Sequence, residues 1–306
     1  MALSFFRKDT KEAATGPQAA EMEAFLKGYS IEVMPRTAEK VEDFRAILAK
    51  GTRVYIAHID GTPIEDMVAT ARRIGAEGFD VMPHFPARII KDKATLQTWV
   101  ARYKDVGVRQ GLLLAGGVAA PVGEYSTSMQ LLESGAFDGF TRLNVAGHPE
   151  GNKDIDPDGS DRMVMEAARW KSAFAERTDA RIAMATQFCF EAAPVIAWVD
   201  RLAAEGVKLP VHIGVAGPAK LQTLIKFAIA CGVGPSLRVL QKRAMDVTKL
   251  LLPYEPTEVL ADLAAHKAKT PGFGIEQVHF FPLGGIKTNA QWVTDHGGAS
   301  GVPANA

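Results

Sequence analysis

The chain has 306 residues, of which 47% are hydrophobic and 23% charged, a globular composition that excludes wholesale disorder and can bury one large core. Its 35 Lys and Arg balance its 35 Asp and Glu, so no net field recruits nucleic acid or an anionic membrane. No run reaches the roughly 20 apolar residues that span a bilayer, the first residues lack a secretory order, and two cysteines make neither a disulfide framework nor a metal cluster. A cytoplasmic protein is expected, with Cys189 and Cys231 as buried small hydrophobes.

Residues 1–28 read as an N-terminal extension with helical tendency. Short apolar runs then alternate with amphipathic ones, the rhythm of a parallel sheet with crossover helices. A strand at 30–35 precedes a helix at 38–49, a strand at 53–59 a helix at 65–77, and a strand at 79–85 a helix at 93–106. The pattern continues with a strand at 111–117 and helix at 124–134, a strand at 139–145 and helix at 161–176, and a strand at 181–190 and helix at 194–205. A strand at 210–215 leads to a helix at 220–231, the pattern stays helical over 237–267, and a last strand falls at 278–283. Eight such units over 29–296 predict a single-domain (β/α)8 TIM barrel, with extra helices before the last strand and a Gly/Ala/Pro tail at 297–306 expected to be mobile. An open dinucleotide fold fits less well, because Ile31-Glu32-Val33-Met34-Pro35-Arg36 stands where its glycine-rich turn belongs.

Catalytic groups of such a barrel project from the carboxyl ends of its strands. The polar residues there are Glu32, His58, Asp60, His84, Gly116, Gly117, Asn144, His148, Gln187 and His279. Glu32 interrupts an apolar strand, where burial would raise its pKa and hold a carboxyl group partly neutral, fit for a general acid; the alternative is an ion pair with a barrel-lining Arg or Lys. Gln187 can donate and accept toward the edge of a pteridine or purine, or can satisfy neighbouring backbone. His84 and His148 lie where strand becomes loop, suited to phosphate or ribose or to a structural hydrogen bond. Gly116-Gly117 permits close backbone approach to adenine or pyrophosphate, or forms a tight turn. No His-x-His or His-x-x-x-His pair occurs, and no metal is expected.

Five pieces occur in one order: Ile31-Glu32-Val33-Met34-Pro35-Arg36-Thr37, Pro83-His84, His148-Pro149-Glu150, Thr186-Gln187-Phe188-Cys189-Phe190 and Val278-His279-Phe280-Phe281-Pro282-Leu283. In that order they resemble the methylenetetrahydrofolate reductases of one-carbon metabolism and methionine biosynthesis. The resemblance implies that Glu32 is the catalytic acid near N5 of the folate, that Gln187, Leu221 and Phe188 contact the folate, and that the partners are tetrahydrofolate derivatives. It implies that His84, Gly116, Gly117, Tyr125, Asn144 and His148 line a nicotinamide or flavin site. Departures are also present: Ala115-Gly116-Gly117 replaces the family's Arg-Gly-Asp, Asn144 a flavin-lining tyrosine, and Gly284-Gly285 an Asn-Arg pair. The chain is therefore more similar to members that lack FAD and transfer hydride directly from NADH or NADPH. The alternatives are a flavin-bound reductase of the family, a folate-dependent methyltransferase and a non-catalytic folate-binding barrel. Homo-oligomer formation stays open.

Overall fold

The computed structural model describes residues 16–232, 234–245 and 252–298. Eight parallel strands close in chain order into a barrel: β1 (Ser30–Val33), β2 (Arg53–Ile56), β3 (Asp80–Pro86), β4 (Gln110–Leu114), β5 (Arg142–Gly147), β6 (Arg181–Cys189), β7 (Val211–Ala216) and β8 (Ile275–Phe281). Closure is made by β1 against β8, with Ser30 opposite His279 and Ile31 opposite Phe280. The fold is thus the predicted (β/α)8 TIM barrel, and the register sends alternate side chains inward and outward. Ile31 and Val33 face the surrounding helices, whereas Glu32 meets groups from β3 and β8 inside.

The helices are α1 (Pro17–Leu26), α2 (Pro35–Ala38), α3 (Ile64–Ala76), α4 (Lys93–Asp105), α5 (Ser128–Glu133), α6 (Arg162–Ala175), α7 (Ala192–Ala204), α8 (Leu221–Ala230), α9 (Gly234–Ala244), α10 (Thr257–Lys269) and α11 (Ile286–Asp295). In α3, Met67, Val68, Ala71 and Ile74 form one buried stripe, with Glu65 and Asp66 in the first turn and Arg73 in the last, which complements the helix dipole. Asp92 starts α4 by accepting from Thr95 N at 2.7 Å, a cap worth about 1 kcal/mol. The N-terminal α1 packs on α10 and β8 through buried Met22, Phe25 and Leu26.

The structure corrects several elements. No helix spans 38–49; α2 ends at Ala38 and a single 3-10 turn follows at Phe44–Ala46. Val41, Phe44 and Leu48 are buried at helical spacing, but α3 competes for the backbone. Glu77 accepts from Phe44 N at 2.7 Å, and the Arg73 guanidinium donates to the carbonyls of Ala38 at 3.1 Å and Glu42 at 3.0 Å. The helix expected at 124–134 begins only at Ser128, because Glu124 N is bonded to Lys91 O at 3.2 Å and Thr127 is the cap. The last strand begins at Ile275, and α11 follows it with Ile286, Ala290 and Val293 buried on one side. Cys231 is exposed rather than buried, and only Cys189 is a core thiol. Of the tail at 297–306, residues 299–306 lie outside the described residues, as do residues 1–15 of the extension.

Candidate active site

The barrel interior is polar at both ends. At the amino-terminal end Arg53, on β2, donates to Gln110 on β4 at 2.8 Å and to Gln277 on β8 at 3.2 Å. Above them Asn144 donates to the Tyr55 hydroxyl at 2.7 Å, and the hydroxyl lies 3.3 Å from His212 Nδ1. His212 Nε2 reaches Glu276 at 2.9 Å, so the network assigns its ring proton to Nε2. Tyr55, Asn144 and His212 are fully buried. Burial raises the Tyr55 phenol to about 12 and lowers the His212 imidazole to about 4 even against the pull of Glu276. Charge at this end is carried by Arg53, 3.6 Å from Asp80, and by Glu276, which meets Arg142 and Arg181.

The mouth differs. Glu32 Oε2 lies 3.1 Å from His84 Nε2 on β3 and 3.8 Å from His279 Nε2 on β8. The first contact lacks the alignment of a full hydrogen bond, so its main contribution is electrostatic. His279 Nδ1 is 2.9 Å from the buried Ser30 hydroxyl, which fixes the ring. Burial alone would raise the Glu32 carboxyl, but the two histidines outweigh it and hold it down to about 2. The sequence expectation of a carboxyl kept neutral by burial is therefore overturned for the free chain: partners decide, and they are imidazoles rather than Arg or Lys. His279 in turn is lowered, since burial outweighs the stabilisation that Glu32 offers its cation. Side-chain exposure of 17% leaves Glu32 reachable from solvent.

The other expected site residues separate into groups. Gln187 is exposed on β6 at a register shift between Ala185 and Phe188, an irregularity of the kind that redirects side chains near sites. Its amide bonds no described residue, so it does not serve the backbone. Gly214 faces this bulge, and a side chain there would put Cβ 2.5 Å from the Thr186 carbonyl oxygen. Gly116 has φ +100°, a conformation open to glycine, with Pro86 against it, and Gly117 beside it is exposed with space around its Cα. These residues follow β4 at the carboxyl end, as expected.

Five residues are placed differently from the expectation. Asn144 is fully buried and bonded at the floor, beyond the reach of a cofactor at the mouth. Tyr125 is packed in the core between barrel and helices. Phe188 and Leu221 are buried with Phe190, Ala219, Leu224 and Tyr254 beneath α8 and α9, so neither offers a free face to a ring. His148 lines a small cavity with Lys171 and Trp198, and burial first, then the Lys171 charge, lowers it to about 3. His58 Nε2 donates to the Thr62 carbonyl at 3.0 Å and the ring lies against Trp99, a structural placement. Among the described residues no three His, Cys, Asp or Glu side chains are arranged to hold a metal.

Sequence reasoning listed His279 at the end of the last strand without a role and did not single out Ser30, Tyr55 or His212. A signal existed in strand parity: His212 and His279 each sit between apolar neighbours that face outward, so each faces the interior. A second feature of the rim is Arg88, after β3, which donates to Asp154 in the loop after β5 at 2.6 Å and to the Val118 carbonyl at 3.1 Å.

No protein-family model matches the chain. Among solved structures, a psychrophilic glycoside hydrolase family 10 endo-β-1,4-xylanase aligns over 92% of this chain and 99% of its own, at 13% identity and TM-score 0.46. A mandelate racemase/muconate lactonizing enzyme from Bordetella bronchiseptica RB50 aligns over 88% and 58%, at 12% identity and TM-score 0.42. A phosphoenolpyruvate phosphomutase from Streptomyces platensis subsp. rosaceus aligns over 65% and 72%, at 15% identity and TM-score 0.40. Such likenesses concern architecture only, and barrels host many unrelated reactions. The class defined here is a (β/α)8 barrel with a Glu-His-His cluster at its mouth. No helix among the described residues is long and apolar enough to cross a membrane.

Proposed function

We propose that the chain is an NAD(P)H-dependent methylenetetrahydrofolate reductase that interconverts 5,10-methylenetetrahydrofolate and 5-methyltetrahydrofolate by direct hydride transfer. The observation that supports this reading is the Glu32 carboxylate held between His84 and His279 at the carboxyl end of β1, where barrel enzymes carry their chemistry. Reduction consumes one hydride and one proton. The proton goes to the ring nitrogen that leaves the bridging carbon; the breaking C–N bond gives its electrons to that nitrogen, and N5 becomes part of an iminium. Hydride from the nicotinamide then forms the new C–H bond, and the iminium π pair returns to N5. Because Glu32 is ionised in the free chain, the proton is loaded on ligand binding. General acid help of this kind is worth roughly 10²–10⁴-fold.

Two of the residues implied to line a flavin are not available to one, since Asn144 is locked at the floor and Tyr125 in the outer core. The reading therefore has no flavin step, and both ligands must be held together, with reacting atoms about 3–3.5 Å apart. Gln187 and the Gly116-Gly117 turn are the groups left free to receive them. The test is an absorbance spectrum of the purified protein followed by anaerobic NADH or NADPH oxidation with methylenetetrahydrofolate and no added flavin. Oxidation by a colourless protein only when folate is present is the expected result. A yellow protein bleached by NADH alone would overturn direct transfer, and no interconversion with either nicotinamide would overturn the whole reading.

A further inference from the structure

The outer side of β5 and β6 holds a buried cation that the mouth does not use. Lys171, on α6, is buried, and its Nζ donates to the Ala146 carbonyl at 2.9 Å. No carboxylate among the described residues pairs with it, and burial lowers its amine to about 8. A buried ammonium without a counter-charge is costly, and a single carbonyl compensates little of that cost.

Beside it lies a cavity of about 10 Å³ between β5, β6, α6 and α7, lined by Ala146, His148, Val164, Lys171, Met184 and Trp198 among others. That volume admits about one water-sized particle. Three of its lining side chains, His148, Lys171 and Trp198, carry polar hydrogens. Trp198 is buried and its Nε1, which can only donate, has no partner. His148 Nδ1 lies 3.5 Å from the Asn152 amide nitrogen; accepting there puts the ring proton on Nε2, so the imidazole is another donor. The Ala146 carbonyl is already taken by Lys171. Water needs acceptors for its own protons, whereas a monatomic anion needs only donors and a positive charge. We propose that this cavity binds one halide-sized monovalent anion, chloride in ordinary solution, between Lys171 Nζ and Trp198 Nε1. The ion supplies the counter-charge that α6 lacks and ties α6 and α7 to β5, the strand whose inward face carries Asn144. The proposal does not depend on the reaction at the mouth.

Bromide is the probe. Crystals of the full chain grown in sodium bromide should show an anomalous peak within hydrogen-bond reach of Lys171 Nζ. In solution, replacing gluconate with chloride at constant ionic strength should raise Tm by roughly 2–4 °C for a site filled about tenfold above its Kd. Lys171→Met, which keeps the volume and removes the charge, should abolish both effects. If that variant does not fold, Trp198→Phe, which removes only the N–H, should weaken halide binding severalfold. An ordered water in place of the bromide peak, equal Tm in the two salts, or a peak that survives in either variant at unchanged occupancy would overturn the proposal.

Discussion

The floor and the mouth of the barrel both carry buried histidine, yet burial decides one and partners decide the other. At the floor Tyr55, Asn144 and His212 have no exposure, and burial keeps the phenol and the imidazole neutral. At the mouth Glu32 retains some exposure and faces two imidazoles, so it stays ionised although burial opposes it. The floor's polar groups mostly spend their hydrogen bonds on one another, and their consequence is a sealed, specific interior. Glu32 makes one contact at poor alignment and one at 3.8 Å, so it is electrostatically committed but geometrically free to engage a ligand. Polar residues inside a barrel are therefore not equivalent signs of function; the incompletely bonded ones are the informative ones.

The comparison is broken most directly at Glu32. Glu32→Gln should lower turnover by roughly 10²–10⁴-fold while folate affinity changes severalfold at most, read as kcat against an equilibrium Kd. Equal loss of both would make Glu32 a binding or structural residue. The next largest effect is acid lability of the floor. The His212 pKa is depressed to about 4 in the folded chain from 6.5. As pH falls below 6.5 the unfolded chain takes up a proton that the folded chain refuses, so stability present above 6.5 is lost down to about 4. His148, His58 and His279 are depressed also, by burial first, and add in the same direction, so the share of the floor is read as the difference from a His212→Gln variant. A loss on the order of 2–3 kcal/mol is expected for a group of this kind, measured as urea midpoints between pH 8 and 4. Glu32 adds to it only further down, as its own unfolded value of 4.5 is passed. A flat profile to pH 5 would show that the floor is wet.

Much of this architecture is legible in the residues, because eight short apolar runs alternate with amphipathic ones and parity fixes which side chains face inward. Glu32 stands out as a carboxylate among apolar neighbours in Ile31-Glu32-Val33. Its charge state is not legible, since that depends on His84 and His279, which lie 52 and 247 positions away and meet it only when the barrel closes. Asn144 shows the opposite failure. Its place on β5 suggested the mouth, but it lies three residues before the end of the strand at Gly147, and its amide is spent on Tyr55 and His212. The segment 38–49 has helical spacing of Val41, Phe44 and Leu48, and only the tertiary hydrogen bonds from Arg73 and Glu77 show why it is not a helix.

At the floor itself, Asn144→Ala should cost about 1–3 kcal/mol, the penalty for stripping the Tyr55 hydroxyl and His212 of a partner. Turnover per folded molecule should stay within about twofold of the parent chain at pH 8, because Asn144 reaches the imidazoles at Glu32 only through the Tyr55 ring, which keeps its packing against His279 at 4.3 Å. A drop in kcat like that of Glu32→Gln, at unchanged stability, would extend the site down to the floor and erase the distinction drawn above.

The smallest effect belongs to the rim. Arg88 and Asp154 pair at 2.6 Å across the top of β4, but Asp154 is 55% exposed. Solvent screens such a pair to about 0–1 kcal/mol. Asp154→Asn should therefore move Tm by no more than roughly 2–4 °C, and the difference should shrink at about 1 M salt, where the screening length falls to ~3 Å. A larger loss that salt does not reduce would mean that the loops after β3 and β5 are held as one unit through Arg88, with its bond to Val118 included. The mouth would then be preorganised by its rim as firmly as the floor is by burial, and the freedom assigned to Glu32 would have to come from its own side chain alone.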